Sequence, residues 1–300
     1  MNRVLTGALC AATIAMLGAA LPAHAQSADT LSKISSSGKM TFAYRESSVP
    51  FSYLEGPEKP IGFAVDISNA IADAVRKQTG KGNLTVGWQA VTSANRIPLL
   101  QNGTIDLECG STTNNSARGK DVDFAINHFY TGTRLLVKKS SGIKNYADLK
   151  GKTVAITTGT TNMQVVRRYN EEKGLGINIV STKDHADAAL LVEADRAAAF
   201  AMDDILLFGL KANAKDPASL EVVGDSLQVE PYACMIRKND PKFKALVDGV
   251  ITGMMKSGEF EKLYNKWFMQ PIPPRNQSIG LPMSKELQDN IKAPSDKPAT

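Results

Sequence analysis

The chain has 300 residues, 43% of them hydrophobic and 22% charged, with a formal net charge of +5. That length and composition supply about two domains with full cores and exclude a disordered or low-complexity protein. Lysines and acids alternate, and aromatic residues do not punctuate basic runs, so nucleic-acid binding is not expected.

The N-terminus reads as a secretory leader. Arg3 precedes an apolar run from Val4 to Leu21, and Pro22-Ala23-His24-Ala25 closes it with small residues. This predicts a signal peptide over residues 1–25, cleaved after Ala25. No other stretch approaches the ~18 apolar residues that a membrane span needs. Of three cysteines, cleavage leaves Cys109 and Cys234, and an even pair in an oxidising compartment is expected to be bonded. The absence of CxxC spacing, with His24, His128 and His185 scattered singly, argues against a metal site. The phosphate-binding GxxxxGK[ST] pattern is missing too, and no cofactor is expected.

In chain order, residues 40–44 are predicted as a strand, with the loop 45–51 at its carboxyl end. Ligand contacts in open α/β sheets favour that position. Gly62 to Asp66 begins an amphipathic helix, with Val65, Ile67, Ala70, Ile71, Ala74 and Val75 on one face. A strand follows over 84–91, then Thr92 and Ser93 as hydroxyl caps, and a helix over 94–101 with Arg96 in its first turn. Residues 105–109 read as a buried strand. The loop after it, Gly110-Ser111-Thr112-Thr113-Asn114-Asn115-Ser116-Ala117-Arg118, combines close-approach backbone, three hydroxyls and a planar guanidinium suited to a carboxylate. Arg45 and Arg96 occupy similar settings.

Further strands are expected at 123–126 and 132–137, the second crossing to another domain. A new α/β unit then has a strand over 153–156 and the loop Thr157-Thr158-Gly159-Thr160-Thr161. That loop leads into a helix over 161–173, whose first N–H groups would face a cleft. Strands at 178–180, 198–202, 220–224 and 230–237, a helix opening at Asp184-His185, helices near 241–256 and 259–268, and a proline-punctuated tail from Pro271 complete the chain. Strands alternating with helices indicate an α/β protein with largely parallel sheets. Two lobes are expected: residues 38–133 plus 232–300, and an insert over 134–231, joined by two crossings that make a hinge.

Several blocks together resemble the periplasmic solute-binding proteins of polar-amino-acid ABC transporters, and most of all the glutamate/aspartate-binding members. They are the segments 45–51, 95–104 and 108–115, Lys183-Asp184-His185, Met202-Asp203-Asp204 and Pro271-Ile272-Pro273-Pro274. Gly62-Phe63-Ala64-Val65-Asp66 follows the wider family's helix start, except that Ala64 stands where an acid is usual. The resemblance implies a type II periplasmic binding protein fold with a discontinuous first lobe and a two-strand hinge. It implies no catalysis. A monomer would bind L-glutamate or L-aspartate in the periplasm and deliver it to an inner-membrane ABC permease.

By the same resemblance, Arg118, Thr113 and the loop at Thr160-Thr161 would hold the ligand α-carboxylate. Asp203 and Ser111 would hold the α-ammonium, and Arg45, Arg96, Ser93 and His185 the side-chain carboxylate. Three arginines and one aspartate suit two negative groups and one positive, since buried charges must be paired. Two alternatives stand at this stage. His185 would only cap a helix, or Asp204 would replace Asp203 at the ligand. A dehydratase-type enzyme on the same fold is the competing function, and a sensor module would share the pocket.

Overall fold

The computed structural model describes residues 29–299, so the leader expected over residues 1–25 lies outside the described residues. The first lobe begins with the parallel pair Lys39–Tyr44 and Thr85–Ala90. The expected strand 105–109 contracts to two bridges, Leu107 beside Phe42 and Glu108 beside Met235. Those bridges link the parallel pair to an antiparallel one, Val122–Thr131 with Glu230–Arg237. Cys109 and Cys234 are bonded across this seam, with Cα atoms 4.1 Å apart and a sequence separation of 125.

The helix Phe63–Thr79 covers one face of this lobe. Its apolar positions Phe63, Ile67, Ile71 and Val75 recur at helical spacing and are fully buried, and Gly80 ends it in a left-handed conformation. The helix Pro241–Ser257 packs beside it. Asp240 caps that helix by accepting from Phe243 N at 3.1 Å, and proline occupies the first turn where its missing N–H costs nothing. An aromatic cluster of Phe51, Phe63, Phe129, Tyr232 and Phe268 fills the space between. The tail is not irregular throughout: it carries the helix Lys285–Lys292, which the sequence reading missed.

The second lobe is built on a five-stranded sheet. In spatial order its strands are Leu220–Val223, Thr133–Lys138, Ala199–Asp203, Thr153–Thr157 and Asn178–Thr182. The last three run parallel, and Thr133–Lys138 is antiparallel to both its neighbours. Leu220–Val223 is an edge strand. The two chain crossings fall between Thr131 and Thr133 and between Val223 and Glu230, where consecutive strands belong to different sheets. The fold is therefore two-lobed α/β with a discontinuous first lobe.

The lobes meet closely. A Cβ added to Gly159 would lie 2.6 Å from Ala94 Cα, and one on Gly209 would lie 2.4 Å from Val49 O. Backbone from one lobe touches backbone from the other at both places, which requires glycine.

Candidate functional site

Between the lobes the side chains close around a narrow cavity. Nine of the ten residues expected at the ligand line it: Ser93, Arg96, Ser111, Thr113 and Arg118 from one side, and Thr160, Thr161, His185 and Asp203 from the other. Asn162 and Met202, which the sequence reading did not select, complete the wall. A larger groove of about 380 Å³ runs outside, along Glu46, Val49, Asp187 and Leu190, but no arginine lines it.

Arg45, the tenth residue, stands one layer behind the wall. Its Nη1 donates to Ser93 Oγ at 3.1 Å, and its Nη2 lies 3.2 Å from both Asp184 Oδ1 and His185 Nε2. His185 is no helix cap. Asp184 has that role, accepting from His185 N at 2.6 Å, while the ring is fully buried and its Nδ1 meets Thr157 Oγ1 at 2.9 Å. Burial pushes the His185 pKa down to about 3, and Arg45 adds to the effect. The imidazole is therefore neutral at pH 7.

Ser93 is likewise no cap. Asn95 and Thr92 satisfy one another's backbone at the start of the helix Arg96–Gln101, which leaves the Ser93 hydroxyl to Arg45. Arg96 is buried, 3.4 Å from Ser111 O and 3.8 Å from Glu108 Oε1, with Nε unpartnered among the described residues. Burial lowers its pKa to about 9, so it stays cationic at neutral pH. Arg118 donates to Thr113 O at 2.9 Å and reaches across the cleft to Gly159 O at 3.2 Å. Burial lowers its pKa, against the opposing pull of Glu230 and Asp203.

Asp203 ends the strand Ala199–Asp203, buried, and its side chain makes no capping bond. It accepts from Asn162 Nδ2 at 2.8 Å and from the Tyr232 hydroxyl. Burial raises its pKa to about 8, and the nearby Glu230 carboxylate pushes the same way. Asp204 instead accepts from Thr131 Oγ1 at 2.6 Å and Ile205 N at 2.7 Å, away from the cavity wall. Geometry thus favours Asp203 over Asp204.

The charge inventory differs from the sequence expectation. Besides Asp203, three carboxylates stand behind the arginines: Asp184 at Arg45, Glu108 at Arg96, and Glu230 near Arg118. None of these was selected beforehand. Glu108 and Glu230 are fully enclosed, and an acid so buried must have a partner. Their sequence neighbourhoods, Leu107-Glu108-Cys109 and Val229-Glu230-Pro231, are acids set into apolar strand-like runs, the one signal that could have marked them.

The profile of the bacterial extracellular solute-binding proteins, family 3, matches residues 40–270, most of the chain. The chain belongs to this family. A glutamate/aspartate import solute-binding protein of Salmonella typhimurium is 50% identical over 268 residues, 89% of each chain. The L-glutamate/L-aspartate-binding protein of Pseudomonas aeruginosa is 46% identical over 298 residues, 99% of each chain. Among solved structures, an ancestral arginine-binding protein bound to arginine superposes with a TM-score of 0.69 at 27% identity, covering 77% of this chain and 98% of that one. As a family member, this solute-binding protein has binding proteins for its close relatives and not enzymes, so the dehydratase alternative has no support.

Proposed function

We propose that this solute-binding protein captures L-glutamate or L-aspartate by closing its lobes over the ligand and presents it to an inner-membrane ABC permease. The observation that carries this reading is the convergence of Arg96, Arg118, His185 and Asp203 on one small cavity, with Arg45 braced behind it. A zwitterionic amino acid with a second carboxylate matches that arrangement of cations and acceptors.

In this reading Arg118 and the first N–H groups of the helix Thr161–Lys173 hold the α-carboxylate, where the helix dipole also favours an anion. Asp203 and Ser111 take the ammonium. Arg96, Ser93 and His185, supported by Arg45, take the distal carboxylate. The lobes correspond to residues 38–133 plus 232–300 and 134–231. The chain acts as a periplasmic monomer after cleavage beyond Ala25. The names of the two relatives above support the ligand assignment.

Calorimetric titration of ligand-stripped protein with a panel of amino acids tests it. Tight binding of L-glutamate and L-aspartate, with weaker glutamine and arginine, is expected. Tight binding of a cationic or neutral amino acid with no heat from either dicarboxylate would overturn the reading.

A further inference from the structure

Glu230 has no role in the scheme above, yet it lies fully buried where the chain returns from the second sheet to the first, paired in register with Thr131. Its Oε2 accepts from the hydroxyl of Thr113 in one lobe and, at 2.6 Å, from that of Thr161 in the other. Its Oε1 accepts from Gln228 Nε2. The two hydroxyl oxygens are 3.4 Å apart, and both residues line the cavity.

A hydroxyl has one proton to give. With both protons committed to Glu230, the oxygens of Thr113 and Thr161 can only accept from anything else they touch. Asn162 behaves in the same sense. Its amide hydrogens go to Asp203 and Thr133, each at 2.8 Å, and its buried Oδ1 has no partner among the described residues. Apart from Arg118, whose Nη1 donates to Thr113 O at 2.9 Å, the side chains at this end of the cavity present acceptors. Beside a carboxylate held by Arg118, those acceptors receive a group with several donors, such as an ammonium.

We propose that Glu230 is a positioning residue: by drawing the Thr113 and Thr161 protons it turns both hydroxyls into acceptors for the ligand ammonium, and by bridging the lobes it latches the closed form. The inference rests on the amino-acid-binding reading above. It also changes one part of the resemblance-based assignment, because Thr113 and Thr161 then reach the α-carboxylate only through backbone N–H groups. A single carboxylate oxygen can meet hydroxyls from both lobes only when the lobes are together, so ligand capture and latch formation coincide.

The experiment is a double-mutant cycle on the full mature chain, read by calorimetry with L-glutamate and L-aspartate. Glu230→Gln keeps the shape and removes the charge, and it should weaken binding about 10- to 100-fold, the range for hydrogen bonds to a charged group. Thr161→Val should weaken it comparably. If Glu230 acts through the hydroxyls, the double variant is no weaker than the poorer single variant, to within about threefold. Multiplying losses, or an unchanged Glu230→Gln affinity, would overturn the proposal while parent binding upholds the proposed function. A parent protein that binds neither ligand would instead overturn the function itself. Should Glu230→Gln not fold, Thr113→Val and Thr161→Val, made singly and together with Glu230 intact, serve the same purpose: each is expected to lose affinity about tenfold. No loss in either one sinks the idea.

Discussion

Arg45 Nη2 lies 3.2 Å from Asp184 Oδ1, so the guanidinium that ends the first strand is tied to the capping carboxylate of a helix in the opposite lobe. Ser47 Oγ donates to the same oxygen at 2.5 Å. Burial works to raise the Asp184 pKa, but Arg45, His185 and these hydrogen bonds outweigh it and hold the carboxyl below its usual range. The relationship bears on ligand selectivity. The arginines are not bare cations awaiting a ligand, because each already has an acid nearby.

Selectivity between glutamate and glutamine should therefore depend on Arg96, whose resident partner is the more distant one, 3.8 Å away at Glu108 Oε1. Arg96→Met is expected to reduce glutamate affinity more than glutamine affinity, by about 2 kcal/mol, the low end of what truncating one member of a buried charge pair costs. Arg118→Met should lower both ligands together. Because Arg96→Met strands Glu108, pairing it with Glu108→Gln should recover much of the lost folding stability. Calorimetry of both ligands at one ionic strength, with melting curves, measures all of this. Equal losses for the two ligands would remove Arg96 from the distal subsite.

Asp203 predicts a pH dependence of binding. In the empty site its pKa of about 8 leaves it largely protonated at pH 7, whereas an ammonium partner requires the carboxylate. Affinity should rise about tenfold per pH unit up to about pH 8 and then level off, with proton release at pH 7 seen as buffer-dependent binding heat. Asp203→Asn should cost roughly 2–5 kcal/mol in binding and remove the pH slope. A flat parent profile would contradict the assignment.

The same shift acts on the folded state without ligand. A carboxyl whose folded pKa is raised contributes stability that is complete below its unfolded value and is lost as pH rises through the folded value. For Asp203 that window runs from about pH 4 to about pH 8. Asp203→Asn should accordingly gain melting temperature relative to the parent as pH increases from 5 to 8. Parallel melting profiles across that range would show that the group is not perturbed.

Gly159 has a φ of +80°, and a Cβ there would meet Ala94 backbone at 2.6 Å across the cleft. Gly159→Ala should hold the lobes apart and weaken ligand binding at least tenfold. Its effect on folding should be limited to about 1 kcal/mol of backbone strain. Small-angle scattering of the ligand-saturated variant is expected to show a larger radius of gyration than the parent. Unchanged affinity would mean that the loop adjusts at no cost.

The Cys109–Cys234 bond closes a loop of 125 residues that contains the whole second lobe. The chain-entropy estimate for such a loop is up to ~5 kcal/mol. Replacing both cysteines with alanine should lower the melting temperature substantially while leaving ligand affinity near that of the parent, since neither residue lines the cavity. Two alkylatable thiols in the non-reduced exported protein would show that the bond does not form.

Local rules determined a good deal of this protein. Alternating apolar strands and helices announced the α/β class, and the strand Glu230–Arg237 and the helix Thr161–Lys173 fall where period and composition placed them. Arg45, Arg96 and Arg118 were marked as candidates by their places in polar loops at strand ends or at the head of a helix, whereas Asp203 was selected only through the family resemblance. The tail helix Lys285–Lys292 escaped because prolines before it masked a short amphipathic pattern.

What only the tertiary structure decided is which groups face each other across the cleft. Thr113 and Thr161 are 48 residues apart and share one carboxylate, from a residue 69 positions beyond Thr161. Period and composition describe the chain over a few residues, whereas Coulomb and hydrogen-bond energies act through a few ångströms of space. Glu108 and Glu230 therefore looked like ordinary strand residues until folding brought the arginines and hydroxyls to them. The raised pKa of Asp203 has the same origin, since burial and the field of Glu230 exist only once both lobes are in place.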